Sequence, residues 1–211
     1  AKVDALAEEY GRQVAGDEAL FAELLATITS ASGAYLAVFG RGMALGSIDP
    51  EAMWQSLRQA LAQVAETDRN PQAMLGFIEG VRQKSPALAT RLLDAAVDDD
   101  VLGPFFPPIQ VAAGLDITGM ARLQLALERG RTSIWHYRCL MYGRVTENAD
   151  PEMLAKLLGL LASREKGHLV AIDILGMYLH RDDRETRPWS PHILKLGLSL
   201  LARVRFTDDE N

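Results

Sequence analysis

The chain has 211 residues, of which 48% are hydrophobic and 24% charged, and its formal net charge is −6. This length can bury a substantial core in one domain or in one continuous repeat array. The acidic balance argues against a general nucleic-acid coat or a binder of anionic membranes, without excluding a local basic face.

Three short helices are predicted in residues 1–46, near 3–14, 17–30 and 33–45. The charged start lacks the apolar core of a signal peptide, and without an initiator Met we expect either a processed chain or a fragment of a longer protein. Glycines loosen the third helix and allow tight packing or a bend. We predict an N-terminal helical cap or one degenerate repeat here. The glycines in question are Gly33, Gly40, Gly42 and Gly46.

Residues 49–66 predict an amphipathic helix. Asp49 is a suitable N-cap, and Pro50 suits the first helical position because its missing N–H is not needed there. At about 100° per residue, Trp54 and Leu57 fall on an apolar side that lies opposite a glutamine-rich side.

The same kind of start recurs along the chain. Further helices are predicted to begin near residues 85, 116, 150 and 190. A second helical segment lies between successive starts, near 71–84, 107–113, 132–143 and 165–180. Two helices in a unit of roughly 30–45 residues are typical of a helical solenoid.

Two stretches interrupt this pattern. In residues 98–110, three prolines prevent a continuous helix, and Phe105 and Phe106 are predicted to fill the core beneath the turn. A mixed-charge stretch that includes Asp182 and Asp183 predicts an exposed loop of salt bridges.

The segment EKGHLVAIDILGMYLH, residues 165–180, is apolar around most of its circumference. Such a helix must be packed on several sides. The spacing of Val170, Ala171, Leu175-Gly176 and Leu179 resembles the second helix of HEAT repeats, in which a small residue and a Leu-Gly pair permit close helix contact. The resemblance covers residues 49–204 at the level of helix pairing and is closest in this last pair.

The resulting fold prediction is all-α. It is a right-handed α-solenoid of HEAT/armadillo-like helix pairs, with residues 1–46 as the cap. Residues 47–211 would be a single continuous array of about four and a half pairs.

Sequence signatures of common catalytic sites are missing. There is no phosphate-binding loop, HExxH or GxSxG motif, and the single cysteine cannot supply a cysteine-rich zinc site. His136 and Cys139 could face one metal, completed by a distant His168 or His192, but a packed thiol and a hydrogen-bonded histidine are favoured. We therefore predict no enzyme, no metal and no cofactor.

Arginine is concentrated in the stretch from 122 to 144, where Glu128 is the one opposing charge. Arginine binds carboxylate or phosphate in a bidentate manner and stacks on aromatic rings. The spacing on a helix places Arg138 against Trp135 or Tyr142. The alternative is that these arginines pair with acidic residues of neighbouring repeats. The predicted partner-binding residues are Arg122, Arg129, Arg131, Trp135, Arg138, Tyr142 and Arg144.

The predicted function is a non-catalytic scaffold or protein-interaction module that binds a protein or an acidic peptide. The alternative is a HEAT-like protein that binds nucleic acid through the arginine-rich face. An enzyme pocket built from distant residues and self-association through an end repeat also stay open. The sequence contains no run of eighteen apolar residues, so no membrane span is predicted. The single cysteine fits a reducing cytoplasm.

Overall fold

The computed structural model describes residues 2–180 and 189–203, and in these ranges every regular element is a helix. The predicted loop containing Asp182 and Asp183 lies outside the described residues. The α-helices are α1 Lys2–Ala15, α2 Glu18–Ser30, α3 Leu36–Gly46, α4 Pro50–Gln63, α5 Gln72–Lys84, α6 Pro86–Ala96, α7 Phe106–Ala112, α8 Ile117–Arg129, α9 Pro151–Ala162, α10 Gly167–Leu179 and α11 Pro191–Leu201. The 3-10 helices are Glu66–Asp68, Gly103–Phe105 and Ile134–Met141.

The helix starts follow the predicted capping signals. Asp49, Asp116 and Asp150 each accept a hydrogen bond from a backbone N–H in the first turn of α4, α8 and α9. These bonds satisfy donors that have no partner inside the helix. The all-α prediction is therefore confirmed, and α4, α6, α8, α9 and α11 begin within one residue of their predicted starts.

Contacts divide the chain into two compact units, Ala1–Gly114 and Leu115–Asn211. This division after Gly114 differs from the predicted boundary after residue 46 and from the predicted single array over residues 47–211. The reason lies in α3, which packs tightly against α5 as well as α1. The helices of residues 1–46 therefore share a core with those that follow.

In unit 1, residues 1–114, alternate helices lie side by side. Helix α3 lies between α1 and α5, α5 also contacts α7, and α2 packs on α4. The core contains Trp54 and Phe77, whose ring centroids are 6.1 Å apart, and a completely buried Phe106. The prediction that Phe106 fills the core is confirmed, whereas Phe105 is only partly buried.

Glycines bring α1, α3 and α5 into backbone contact. A Cβ at Gly42 would collide with the carbonyl oxygen of Glu8 in α1, and a Cβ at Gly76 would collide with that of Ala37 in α3. Two of the glycines predicted to loosen α3, Gly40 and Gly42, thus provide close packing. Across this contact Arg41 donates to Glu8 at 2.8 Å and to Glu79 at 3.2 Å. The hydrogen bond to Glu8 is the main reason why the pKa of Arg41 is raised.

In unit 2, residues 115–211, α9 packs against α8, α10 and α11, and the 3-10 helix Ile134–Met141 packs on α10. The core of this unit includes Leu123, Tyr137, Leu158 and Ile174. The predicted packing of α10 on several sides is confirmed. None of the helices described is long and apolar enough to cross a bilayer.

Candidate partner-binding surface

Within the predicted helical segment 132–143, residues Ile134–Met141 form a 3-10 helix and not an α-helix. A 3-10 helix has three residues per turn, so residues three apart lie in one column. Ile134, Tyr137 and Leu140 make one column, and the last two are buried. The Tyr137 hydroxyl donates to the carbonyl oxygen of Leu123 in α8 at 2.8 Å. This column anchors the segment to the core of unit 2.

A second column carries Trp135 and Arg138, which are both exposed. The Arg138 guanidinium carbon lies 5.3 Å from the centroid of the Trp135 ring, within the range of a cation–π contact. Of the two rings predicted to contact Arg138, the structure therefore selects Trp135. Tyr142 follows the end of the 3-10 helix in extended backbone and is largely exposed.

Arg138 also binds a carboxylate that sequence analysis did not pair with it. Its Nη2 donates to Asp173 of α10 at 2.7 Å. Asp173 is the single carboxylate in α10. A carboxylate in a largely apolar helix indicates a nearby cation, and this is the sequence pattern from which the contact could have been predicted. Leu169 and Met177 lie one turn to either side of Asp173, and each is about half exposed.

A cleft of about 210 Å³ lies between the end of the 3-10 helix with the turn after it and the end of α10. On one wall of the cleft the chain turns through Gly143 and Arg144, which both have positive φ angles. For Arg144 this left-handed conformation is unfavourable, because its Cβ crowds the backbone. Arg144 donates to Glu147 at 2.9 Å. The principal residues lining the cleft are Leu140, Met141, Arg144, Glu147, Met177 and His180.

The other predicted arginines lie elsewhere. Arg122 is only 8% exposed, so it cannot contribute to an accessible surface, and its prediction as a partner-binding residue is corrected. It belongs to the buried side of α8, together with Leu123 and Ala126. Arg129 and Arg131 are exposed at the end of α8 and in the turn after it, and neither lines the cleft. The predicted set is thus divided.

His136 and Cys139, which the sequence offers as possible metal ligands, share the third column of the 3-10 helix. Among the described residues, no group of three or more His, Cys, Asp or Glu side chains could hold a metal ion. Burial raises the pKa of the Cys139 thiol to about 12. A thiol of this kind is protonated at neutral pH and is a poor nucleophile.

This raised pKa gives a testable expectation. Because only the thiolate reacts, labelling of Cys139 by a disulfide reagent at pH 8 should be at least about 100-fold slower than that of free cysteine. Labelling should accelerate to the free rate in denaturant. Rapid labelling of the folded protein, followed by stopped-flow absorbance, would show an accessible thiolate instead.

Comparison of the chain with protein-family models, with curated proteins and with solved structures gave no match.

Proposed function

We propose that this chain is a non-catalytic helical-repeat module that binds a protein or an acidic peptide through one surface of unit 2. We call this surface the 135–144 surface. Its exposed residues are Trp135, Arg138, Tyr142 and Arg144, with Leu169 and Met177 of α10.

The observation that carries the proposal is the composition of the 135–144 surface. Aromatic residues, Met and Arg are the types enriched in protein interfaces, and Trp, Tyr and Arg dominate their binding hot spots. Here Arg144 and Met177 line one cleft. Trp135, Arg138 and Tyr142 are exposed on the segment that leads to Arg144. A concave site with apolar walls and a cation at its rim suits an apolar side chain next to a carboxylate.

The repeat character of the module rests on the packing of alternate helices. In unit 1 the helices α1, α3, α5 and α7 follow one another in a row. In unit 2 the helices α8, α9 and α11 do the same, with α10 packed beside them. This is the neighbour pattern of stacked helix pairs. We therefore retain the right-handed HEAT/armadillo-like solenoid and the cytoplasmic location as parts of the proposal.

A nucleic-acid partner is the less favoured alternative. Arg138 and Arg144 are already paired with Asp173 and Glu147, and Arg122 is buried. Nucleic-acid binding depends mainly on contacts to phosphates, and these pairings lower the charge available for them. A peptide would also be bound through the exposed side chains of Trp135, Tyr142 and Met177, which do not depend on charge.

Selection from a displayed random-peptide library on the immobilised chain tests the proposal. We expect enrichment of acidic peptides that contain an aromatic or large aliphatic residue. Trp135→Ala and Arg144→Glu should each weaken a selected peptide by about 10–100-fold, the range of a hot-spot residue. Titration calorimetry would measure the Kd.

The matched control is Arg91→Glu in unit 1, because Arg91 is also an exposed arginine paired with a glutamate. It should leave peptide affinity unchanged. Equal affinity of Trp135→Ala and wild type would contradict the assignment of the surface. Binding of a DNA duplex at low salt that disappears in Arg144→Glu would favour the nucleic-acid alternative.

A further inference from the structure

Two arginine–carboxylate pairs lie on the 135–144 surface, and they are held differently. Arg138 is fixed on two sides, by the Trp135 ring 5.3 Å from its guanidinium carbon and by Asp173 of α10 at 2.7 Å. Arg144 donates to Glu147 at 2.9 Å. The side chains of this second pair are 59% and 41% exposed, against 48% and 34% in the first. Arg144 is therefore the more weakly held cation.

The local fold does not need the pair between Arg144 and Glu147. These are the first and last residues of one turn, since the Glu147 N–H donates to the Arg144 carbonyl oxygen at 3.0 Å. The backbone thus closes the turn by itself. An exposed ion pair adds little stability, because water solvates both charges and two long side chains lose freedom. Another carboxylate could replace that of Glu147 without opening the turn.

The backbone at Arg144 is strained. Its φ angle is 58°, in the left-handed region that favours glycine, and it follows Gly143 with a φ angle of 64°. Non-glycine residues held in this region lose free energy and occur preferentially at binding sites. A glycine would avoid the strain but would carry no guanidinium. An arginine that is retained here at the expense of stability indicates a binding role.

The cleft beside Arg144 suits one side chain. Its volume of about 210 Å³ is below the roughly 300–1,000 Å³ of sites that take a cofactor or another small molecule. Met141 and Met177 give it apolar lining, and both Arg144 and Glu147 border it. A group that fits would combine an apolar side chain with an acceptor for the guanidinium. An aromatic or aliphatic residue next to a carboxylate provides both.

We propose that Glu147 is an internal competitor of the binding partner. It occupies Arg144 in the free protein, and a carboxylate of the partner displaces it while the adjacent apolar side chain enters the cleft. Glu147 also repels any carboxylate that approaches, so it selects partners whose apolar residue binds well enough to overcome this repulsion. This inference rests on the proposed function and adds the group that is recognised and the residue that limits affinity.

Titration calorimetry of Glu147→Gln with an acidic peptide selected on the wild-type chain tests the proposal. We expect the Kd to fall by about 3–10-fold, because the change removes the competing pair and the repulsion but keeps the size of the side chain. The difference from wild type should disappear at about 0.5 M NaCl, where exposed charges are screened. The melting temperature should change little.

The matched control is Glu51→Gln in α4. Glu51 is also an exposed glutamate that accepts from an arginine, Arg91 at 2.7 Å, and its substitution changes the net charge by the same amount. It should leave the Kd unchanged. An equal gain in Glu51→Gln would mean that net charge alone sets the affinity.

A double-mutant cycle tests whether Glu147 acts through Arg144. Arg144→Gly should weaken the peptide by about 10–100-fold. Its melting temperature should not fall below that of the wild type, because glycine relieves the left-handed backbone. In the Arg144→Gly background, Glu147→Gln should change the Kd by less than about twofold. A full gain in that background would mean that Glu147 acts on the peptide by another route.

Two altered peptides identify the source of the carboxylate. Amidation removes the carboxylate of the C terminus, and Gln or Asn in place of Glu or Asp removes that of a side chain. Removal of the carboxylate that binds Arg144 should weaken binding and abolish the difference between wild type and Glu147→Gln. If that difference survived the removal of every carboxylate, displacement of Glu147 would be wrong.

Failure of this inference and failure of the proposed function give different results. If Trp135→Ala weakens the peptide but Glu147→Gln binds like the wild type, the 135–144 surface stands and Glu147 is not a competitor. If Trp135→Ala also binds like the wild type, the surface itself is wrongly assigned. Selection that yields no acidic peptide on either the wild-type or the Glu147→Gln chain would overturn both.

Discussion

Replacing Gly76 by alanine should lower the free energy of unfolding of unit 1 by about 1–3 kcal/mol, the usual cost of overpacking. Elsewhere in a helix this change is favourable, because alanine has the higher helix propensity. At Gly76 the new methyl group would collide with the carbonyl oxygen of Ala37, which belongs to the backbone of α3 and cannot rotate away. Helices α3 and α5 must then separate.

Thermal denaturation followed by circular dichroism would measure this loss as a decrease in Tm on the order of 5–15 °C. The matched control is Gly159→Ala in α9, where an added Cβ meets no atom within 4 Å. This control should raise stability by about 0.5–1 kcal/mol. If the two variants behaved alike, α3 and α5 would not be in backbone contact.

The second large effect is expected at Tyr137, which is completely buried in unit 2. Tyr137→Ala should cost about 3–5 kcal/mol, because it removes an aromatic ring and leaves a cavity. It also detaches the 3-10 helix Ile134–Met141 from α8. Chemical denaturation should therefore show an earlier midpoint for unit 2.

Tyr137→Phe separates the hydrogen bond from the ring. It retains the packing and removes only the bond to the Leu123 carbonyl, so a loss of about 0.5–1.5 kcal/mol is expected. A phenylalanine variant as unstable as the alanine variant would mean that the hydroxyl, and not the ring, holds the segment. Trp135→Ala, at an exposed position in the same 3-10 helix, is the control and should change stability little.

The candidate surface could be predicted from the sequence only in part. Composition singled out the arginine-rich stretch with Trp135 and Tyr142. It could not separate Arg122, which is buried, from Arg144, which is exposed. That difference depends on the packing of α8 and on the turn at Gly143. The partner carboxylate Asp173 lies 35 residues from Arg138, so no local pattern joins them.

The sequence pattern also could not predict that residues Ile134–Met141 form a 3-10 helix and not an α-helix. On an α-helical wheel, Arg138 falls between two aromatic rings. With three residues per turn it falls in line with Trp135 alone. The sequence fixes which residues are apolar. The angle per residue, about 120° in a 3-10 helix and about 100° in an α-helix, decides which of them lie on the same side.

The sequence by itself determined that this protein is helical and where most of its α-helices begin. Capping residues, prolines and apolar periodicity act within a few residues, and they locate the starts of α4, α6, α8, α9 and α11. Only the tertiary structure decided which helices lie in backbone contact, where the chain divides after Gly114, and which of the arginines from 122 to 144 are exposed. These outcomes depend on contacts between residues far apart in the chain, and the close approach of α3 to α5 through Gly76 is one of them.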